Sequence, residues 1–166
     1  MSGPANEGRA PAPVATTPAV RVRVVQLPHA AGLPLPAYET SGAAGLDVRA
    51  ALAEPLVLLP GRIARVATGL AIEVPPGFEM QIRPRSGLAV RNGVTLPNSP
   101  ATIDSDYRGE IVVGLVNLGS EPVTIERGMR IAQMVLARVP RVEWEPVAVL
   151  SASDRGAGGF GHTGSA

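Results

Sequence analysis

From Val20 the chain alternates apolar and charged side chains, Val20-Arg21-Val22-Arg23-Val24, the period expected of a strand with one buried face. Short apolar runs bounded by turn residues then recur. Leu56-Val57-Leu58-Leu59 stops at Pro60-Gly61, and the segments Arg62 to Val66 and Gly69 to Val74 read as two further strands closed by Pro75-Pro76-Gly77. Phe78 to Ile82 alternates cleanly. Glu110 to Asn117, Val123 to Ile125, Arg130 to Val139 and the alternating Val142-Glu143-Trp144-Glu145 complete the set. One short helix is expected, with Ser86 as N-cap, Leu88 to Arg91 as its body and Asn92-Gly93 as its stop. So many short strands with this turn density predict an all-β sandwich or jelly roll with one short helix.

Composition then sets the limits of the domain. Residues 1–19 are Ala, Pro, Gly, Ser and Thr with almost no large apolar groups, so they are expected to form a disordered tail. Residues 20–150 carry the strand pattern and form the β domain. Residues 151–166, too glycine-rich for helix or strand, form a flexible arm. Aromatic content is only 3%, so the core must be built from Val, Leu, Ile and Ala.

Charge and residue types remove several chemistries. The net charge is +1, which gives no global electrostatic case for a nucleic-acid partner. Every basic residue is arginine, which removes a P-loop lysine and a Schiff-base lysine together. The chain has no cysteine, which removes disulfides, thiolate catalysis and thiolate-bound zinc. His29 and His162 lie far apart in sequence and do not suggest an imidazole metal site. A hard cation such as Mg²⁺, held by carboxylates and phosphates, stays open. No apolar run reaches the length of a membrane span, and the N-terminus lacks a secretory pattern, so the cytoplasm is the expected location.

The candidate chemistry gathers in a few blocks. Asn98-Ser-Pro-Ala-Thr-Ile-Asp104-Ser-Asp106-Tyr107-Arg108-Gly109-Glu110 places carboxylates, a ring and a cation around a turn beside a strand. Alone, this would also suit a solvated hairpin. In Arg83-Pro84-Arg85-Ser86-Gly87, the start of a helix, a hydroxyl and a guanidinium favour an anion, though an ordinary capped turn would look the same. Asp47 is a lone acid in the apolar stretch Ala44 to Ala50, suited to a paired rim carboxylate or to Mg²⁺ bound through water. Gln133 lies in an apolar strand and must find partners, either backbone or ligand. The glycines after Arg155, with Phe160 among them, suit an arm that folds over phosphates and a planar base.

In order along the chain, Ala44-Gly-Leu-Asp-Val-Arg-Ala50, Pro84-Arg-Ser-Gly-Leu-Ala89, Asn98 through Glu110, Gly128-Met-Arg-Ile-Ala-Gln133 and Arg155-Gly-Ala-Gly-Gly-Phe-Gly161 resemble the signature blocks of the trimeric deoxyuridine triphosphatases. The resemblance covers about Val20 to Ser165. It implies a jelly-roll or β-clip-type sandwich assembled as a homotrimer with shared active sites. It also implies hydrolysis of dUTP to dUMP and pyrophosphate with Mg²⁺ assistance. Asp104 then matches the carboxylate that activates water, and Asp47 the residue that reaches the hydrated metal. Arg85, Ser86, Gly87 and Gln133 match phosphate-binding positions. Asn98 with the hairpin backbone at Thr102 and Ile103 matches the uracil reader, and Tyr107 the ring under the deoxyribose. Arg155, Phe160 and Gly161 match the arm of a neighbouring subunit. Ala101 stands where a glycine is frequent, and His162 where a serine is common. Two rival readings share the scaffold: a dCTP deaminase, and a non-catalytic nucleotide-binding module. The deaminase requires a glutamate where Gly114 stands, and the module has no need of Asp104.

Overall fold

In the computed structural model, which describes residues 19–159, the apolar run along Glu110–Asn117 becomes a strand with Ile111, Val113 and Leu115 buried and Val112 partly exposed. Numbered along the chain, the strands are β1 (Arg23–Gln26), β2 (Leu46–Arg49), β3 (Leu56–Leu58), β4 (Ile63–Glu73), β5 (Phe78–Pro84), β6 (Val94–Thr95), β7 (Ala101–Ile103), β8 (Glu110–Asn117), β9 (Val123–Ile125) and β10 (Arg130–Arg138). Helix α1 (Ser86–Asn92) joins β5 to β6, and a single 3₁₀ turn, Pro28–Ala30, follows β1. Two four-stranded sheets, in the orders β1-β4-β8-β6 and β2-β10-β5-β7, are accompanied by the ribbon β3-β9. All of these pairings are antiparallel.

The inner faces of the two sheets share one aliphatic core. Val66, Leu70, Ile111, Val113 and Leu115 from the first meet Val48, Met80, Ile82, Ile131 and Met134 from the second. Each such side chain contributes up to about 1.5–3 kcal/mol by leaving water. One polar group is fully enclosed. Asn117 donates to the carbonyls of Leu58 (2.9 Å) and Glu121 (2.7 Å) and accepts from the Gly119 N–H (2.9 Å), which ties the first sheet to the ribbon's connections.

Four expectations need correction. The first strand begins at Arg23, where pairing with β4 starts, and not at Val20, and all four of its residues are exposed. The segments around Arg62–Val66 and Gly69–Val74 form one strand, since Gly69 bends the chain as a bulge and does not turn it. The Val142–Glu145 stretch is not a strand. No neighbouring strand pairs with it, and Trp144 is 87% exposed. Ser86 is the first residue of α1 and not its cap; Arg85 holds the extended cap position, and no side chain caps the helix. Gly93 does end α1, in the left-handed region at φ 69°.

The bulge at Gly69 has a strict steric requirement. Its φ is +66°, and an added Cβ would lie 2.1 Å from the Cβ of Ala30. Gly69→Ala is therefore expected to destabilise the fold by about 2–5 kcal/mol, through left-handed strain and overpacking together. Urea unfolding checks this: the midpoint should fall with the slope unchanged.

Candidate active site

The hairpin block folds into a cleft of about 360 Å³. Asn98, Thr102, Ile103, Asp104, Tyr107 and Gly114 line it, together with Arg65 and Glu110. Thr102 and Ile103 lie on β7, whose pairing with β5 (Gln81↔Thr102, Met80↔Ile103) fixes the wall of the cleft. The chain then turns, with the Tyr107 N–H donating to the Asp104 carbonyl at 3.2 Å. Arg108 braces this turn by donating to the carbonyls of Ser105 (2.7 Å) and Tyr107 (2.8 Å). Asp104 is left exposed at the mouth of the cleft, and among the described residues no side-chain hydrogen bond or ion pair competes for its carboxylate. A second, polar cavity of about 520 Å³, lined by Glu79, Asp106 and Arg141 among others, opens on its other side.

Tyr107 is set by its own loop. Its hydroxyl donates to the Glu110 carbonyl at 3.0 Å. The ring lies so close over Gly109 that an added Cβ there would sit 2.4 Å from the phenol oxygen. The ring remains 43% exposed and presents a flat surface to the cleft. Gly114 lies beneath Pro97 and Asn98, where an added Cβ would sit 3.6 Å from Pro97 Cγ, so the cleft carries no proton-transferring side chain at that position.

The remaining blocks assemble elsewhere. Asp47 on β2 faces Gln133 on β10 in register. Asp47 is paired, as its structural reading expected, but at 5% exposure it is buried and not at the rim. Its Oδ1 accepts from Arg85 Nε (3.0 Å) and Gln133 Nε2 (3.2 Å). Its Oδ2 accepts from Arg130 (3.1 Å) and, more weakly, from Arg85 (3.4 Å). Two arginines and an amide therefore converge on one buried carboxylate, which holds their donors in a fixed array. Gln133 packs at 3.3 Å over the space a Gly45 side chain would fill. Ser86 is exposed at the start of α1 with its hydroxyl free of capping duty. Sequence reasoning misses Arg130, because three positions from Gln133 on a regular strand would put it on the opposite face; the irregularity between Arg130 and Ala132 brings both to Asp47.

These residues are spread over one sheet, with Asp47 on the edge strand β2, Gln133 on β10, Arg85 just after β5 and the hairpin on the other edge strand, β7. The order β2-β10-β5-β7 places three strand spacings, about 14 Å, between the Asp47 strand and the hairpin strand. Arg155 lies apart from both: its Nε donates to the Gly158 carbonyl (2.8 Å) within an exposed turn. Phe160 and Gly161, like His162, lie outside the described residues. Among the described residues no group of three or more metal-ligating side chains is placed to hold an ion, and no helix is long and apolar enough to cross a membrane.

The dUTPase family model matches residues 31–164 of this chain. This chain belongs to the dUTPase family. It is 58% identical over 154 residues to a deoxyuridine 5'-triphosphate nucleotidohydrolase of Brucella melitensis biotype 2, covering 92% of this chain and 98% of that protein. The Brucella suis biovar 1 protein of the same name matches equally. Among solved structures, Staphylococcus bacteriophage 80alpha dUTPase with dUPNHPP superposes with a TM-score of 0.79 at 24% identity, over 87% of this chain and 99% of that one. A mutant dUTPase from phage phi11 of S. aureus, whose structure concerns the coordination of a structural Mg(II) ion, gives 0.71 at 19% identity, over 80% of this chain and 100% of that one. These structural likenesses bear on the fold, which is the all-β sandwich expected.

Proposed function

We propose that this chain hydrolyses dUTP to dUMP and pyrophosphate in the cytoplasm, which keeps uracil out of DNA and supplies dUMP for thymidylate synthesis. The observation that carries the reading is the unpaired carboxylate of Asp104 at the mouth of a cleft floored by Tyr107 and Asn98, in a chain of this family. Uracil lies against Asn98 and the β7 backbone at Thr102 and Ile103, where fixed donors and acceptors suit it and mismatch cytosine. The Tyr107 ring packs under the deoxyribose. Asp104 accepts a proton from the water that attacks the α-phosphorus.

The phosphates are held by Arg85, Ser86, the backbone at Gly87, and Gln133. Because Asp47 already aligns Arg85 and Gln133, little ordering is required of them when the nucleotide arrives. As Gln133 turns to a phosphate oxygen, a lone pair on Asp47 Oδ1 becomes free for a water. The donor set thus suits a hydrated Mg²⁺ carried on the triphosphate, with Asp47 contacting it through water, and does not suit a protein cage. Bound Mg²⁺ supplies charge neutralisation along the triphosphate. None of Asp47, Arg85 or Gln133 lines the cleft at Asp104, which supports a homotrimer in which Asp104 of one chain meets Arg85 and Gln133 of another. Arg155, Phe160 and Gly161 close the site as an arm from a neighbouring chain.

The test is pyrophosphate release from dUTP, dTTP, dCTP and UTP in Mg²⁺. Strong preference for dUTP is the expected result. Binding of dUTP with no turnover would leave a binding module instead, and ammonia release from dCTP would mark a deaminase.

A further inference from the structure

Glu110 lines the cleft, yet its carboxylate is engaged outside it. Oε1 accepts the Gly69 N–H at 2.7 Å and lies 2.8 Å from His29 Nε2. An ionised carboxylate only accepts hydrogen bonds, so Nε2 of the imidazole carries the proton that bridges the pair. On the other side of the same residue, the Glu110 carbonyl accepts the Tyr107 hydroxyl. One residue therefore links the bulge in β4 to the orientation of the ring in the cleft.

The segment that presents His29 is itself clamped. Leu27 N–H donates to the Gly69 carbonyl at 2.7 Å, next to the bulge. Arg127 donates to the carbonyls of His29 (2.8 Å) and Ala31 (2.9 Å). Thr68 Oγ1 donates to the Ile111 carbonyl at 2.7 Å, closing the gap in the β4–β8 ladder where the bulge displaces it. The imidazole is 45% exposed, but the turn that presents it to Glu110 is clamped at the carbonyls of His29 and Ala31.

We propose that His29 is a positioning residue for sugar discrimination: through Glu110 it holds the Tyr107 ring at the height that admits deoxyribose and excludes a ribose 2′-hydroxyl. The inference rests on the reading that Tyr107 packs under the sugar. Loss of the His29 donor leaves the Glu110 side chain held by Gly69 alone, and the peptide that receives the Tyr107 hydroxyl gains freedom to tilt. Ring height then varies, and the extra oxygen of UTP is rejected less sharply. Neither the water-activating carboxylate nor the phosphate donors are touched.

The experiment compares kcat/KM for dUTP and UTP in the full-length protein. His29→Ala is expected to lower the dUTP-to-UTP ratio about tenfold, with kcat for dUTP within about threefold of the parent. His29→Gln, whose amide can still donate to Glu110, should restore the ratio to within about twofold of the parent. Tyr107→Phe removes the other end of the link, so the double variant with His29→Ala should be no worse than Tyr107→Phe alone. An unchanged ratio in His29→Ala, a glutamine variant as impaired as the alanine one, or additive losses in the double variant would each overturn the proposal. If His29→Ala does not assemble, His29→Asn, too short to reach Glu110, takes its place with the same expectation. Tyr107→Ala separates the two levels. If it leaves the ratio unchanged, the reading of Tyr107 itself fails; if it collapses the ratio while His29→Ala does not, only the positioning role fails.

Discussion

Replacing Asp104 by asparagine is expected to lower kcat for dUTP by about 10²–10⁴-fold, the range a positioned general base contributes. The amide has nearly the same shape as the carboxylate and cannot take a proton from water. The exchange should leave the rest of the cleft alone. Asp104 is exposed, its side chain makes no hydrogen bond or ion pair among the described residues, and the hydrogen bond from Tyr107 N–H goes to its main-chain carbonyl. Affinity for a non-hydrolysable imido analogue of dUTP, measured by calorimetry, should therefore stay within a few-fold of the parent. A drop confined to turnover is the signature of a group that acts in the transition state. Turnover within about tenfold of the parent would remove Asp104 from this role.

The second prediction uses that inactive chain. Chains ending at Asp154 should still form the proposed trimer, since among the described residues Arg155 hydrogen-bonds within its own turn and not to the β domain. They should turn dUTP over poorly if, as proposed, Arg155 holds a phosphate and Phe160 covers the base. Equal amounts of truncated and Asp104→Asn chains, refolded together, are then expected to recover activity. If Asp104 and the arm of one site come from different chains, each is intact at half of the sites independently, so about one quarter of the sites are complete. If one chain supplied both groups, every site would carry a lesion and the mixture would stay inactive. Light scattering on each sample confirms that assembly is not what changed.

The same geometry shows why these chemistries are only partly legible in the sequence. Asp47 and Asp104 are each single carboxylates within a short block, and nothing local distinguishes them. The fold buries one under Arg85, Arg130 and Gln133 and leaves the other in solvent at a cleft mouth. The partners of Asp47 lie 38 to 86 positions away in sequence, so no window around residue 47 contains them. Glu110 similarly reads as the end of a turn and the start of a strand, which it is. Its link to His29, 81 residues distant, depends on a bulge in a third segment.

What the sequence determined by itself is whatever is local. Short apolar runs bounded by turn residues placed β8 and β9 at their observed bounds, because β-branched runs and the turns that stop them are local features. Gly93 ended α1 because left-handed backbone costs glycine little. The ordered motif blocks carried family membership without any coordinates. Tertiary structure alone decided which runs joined, since β4 continues through Gly69 where a break was expected, and Val142–Glu145 finds no strand to pair with. It also decided which acid is buried and which is exposed, and set Asp47 and the hairpin on the two edge strands of one sheet. Strand order and burial arise from contacts between distant segments, and their free energy belongs to the packed sandwich and to no single stretch of it.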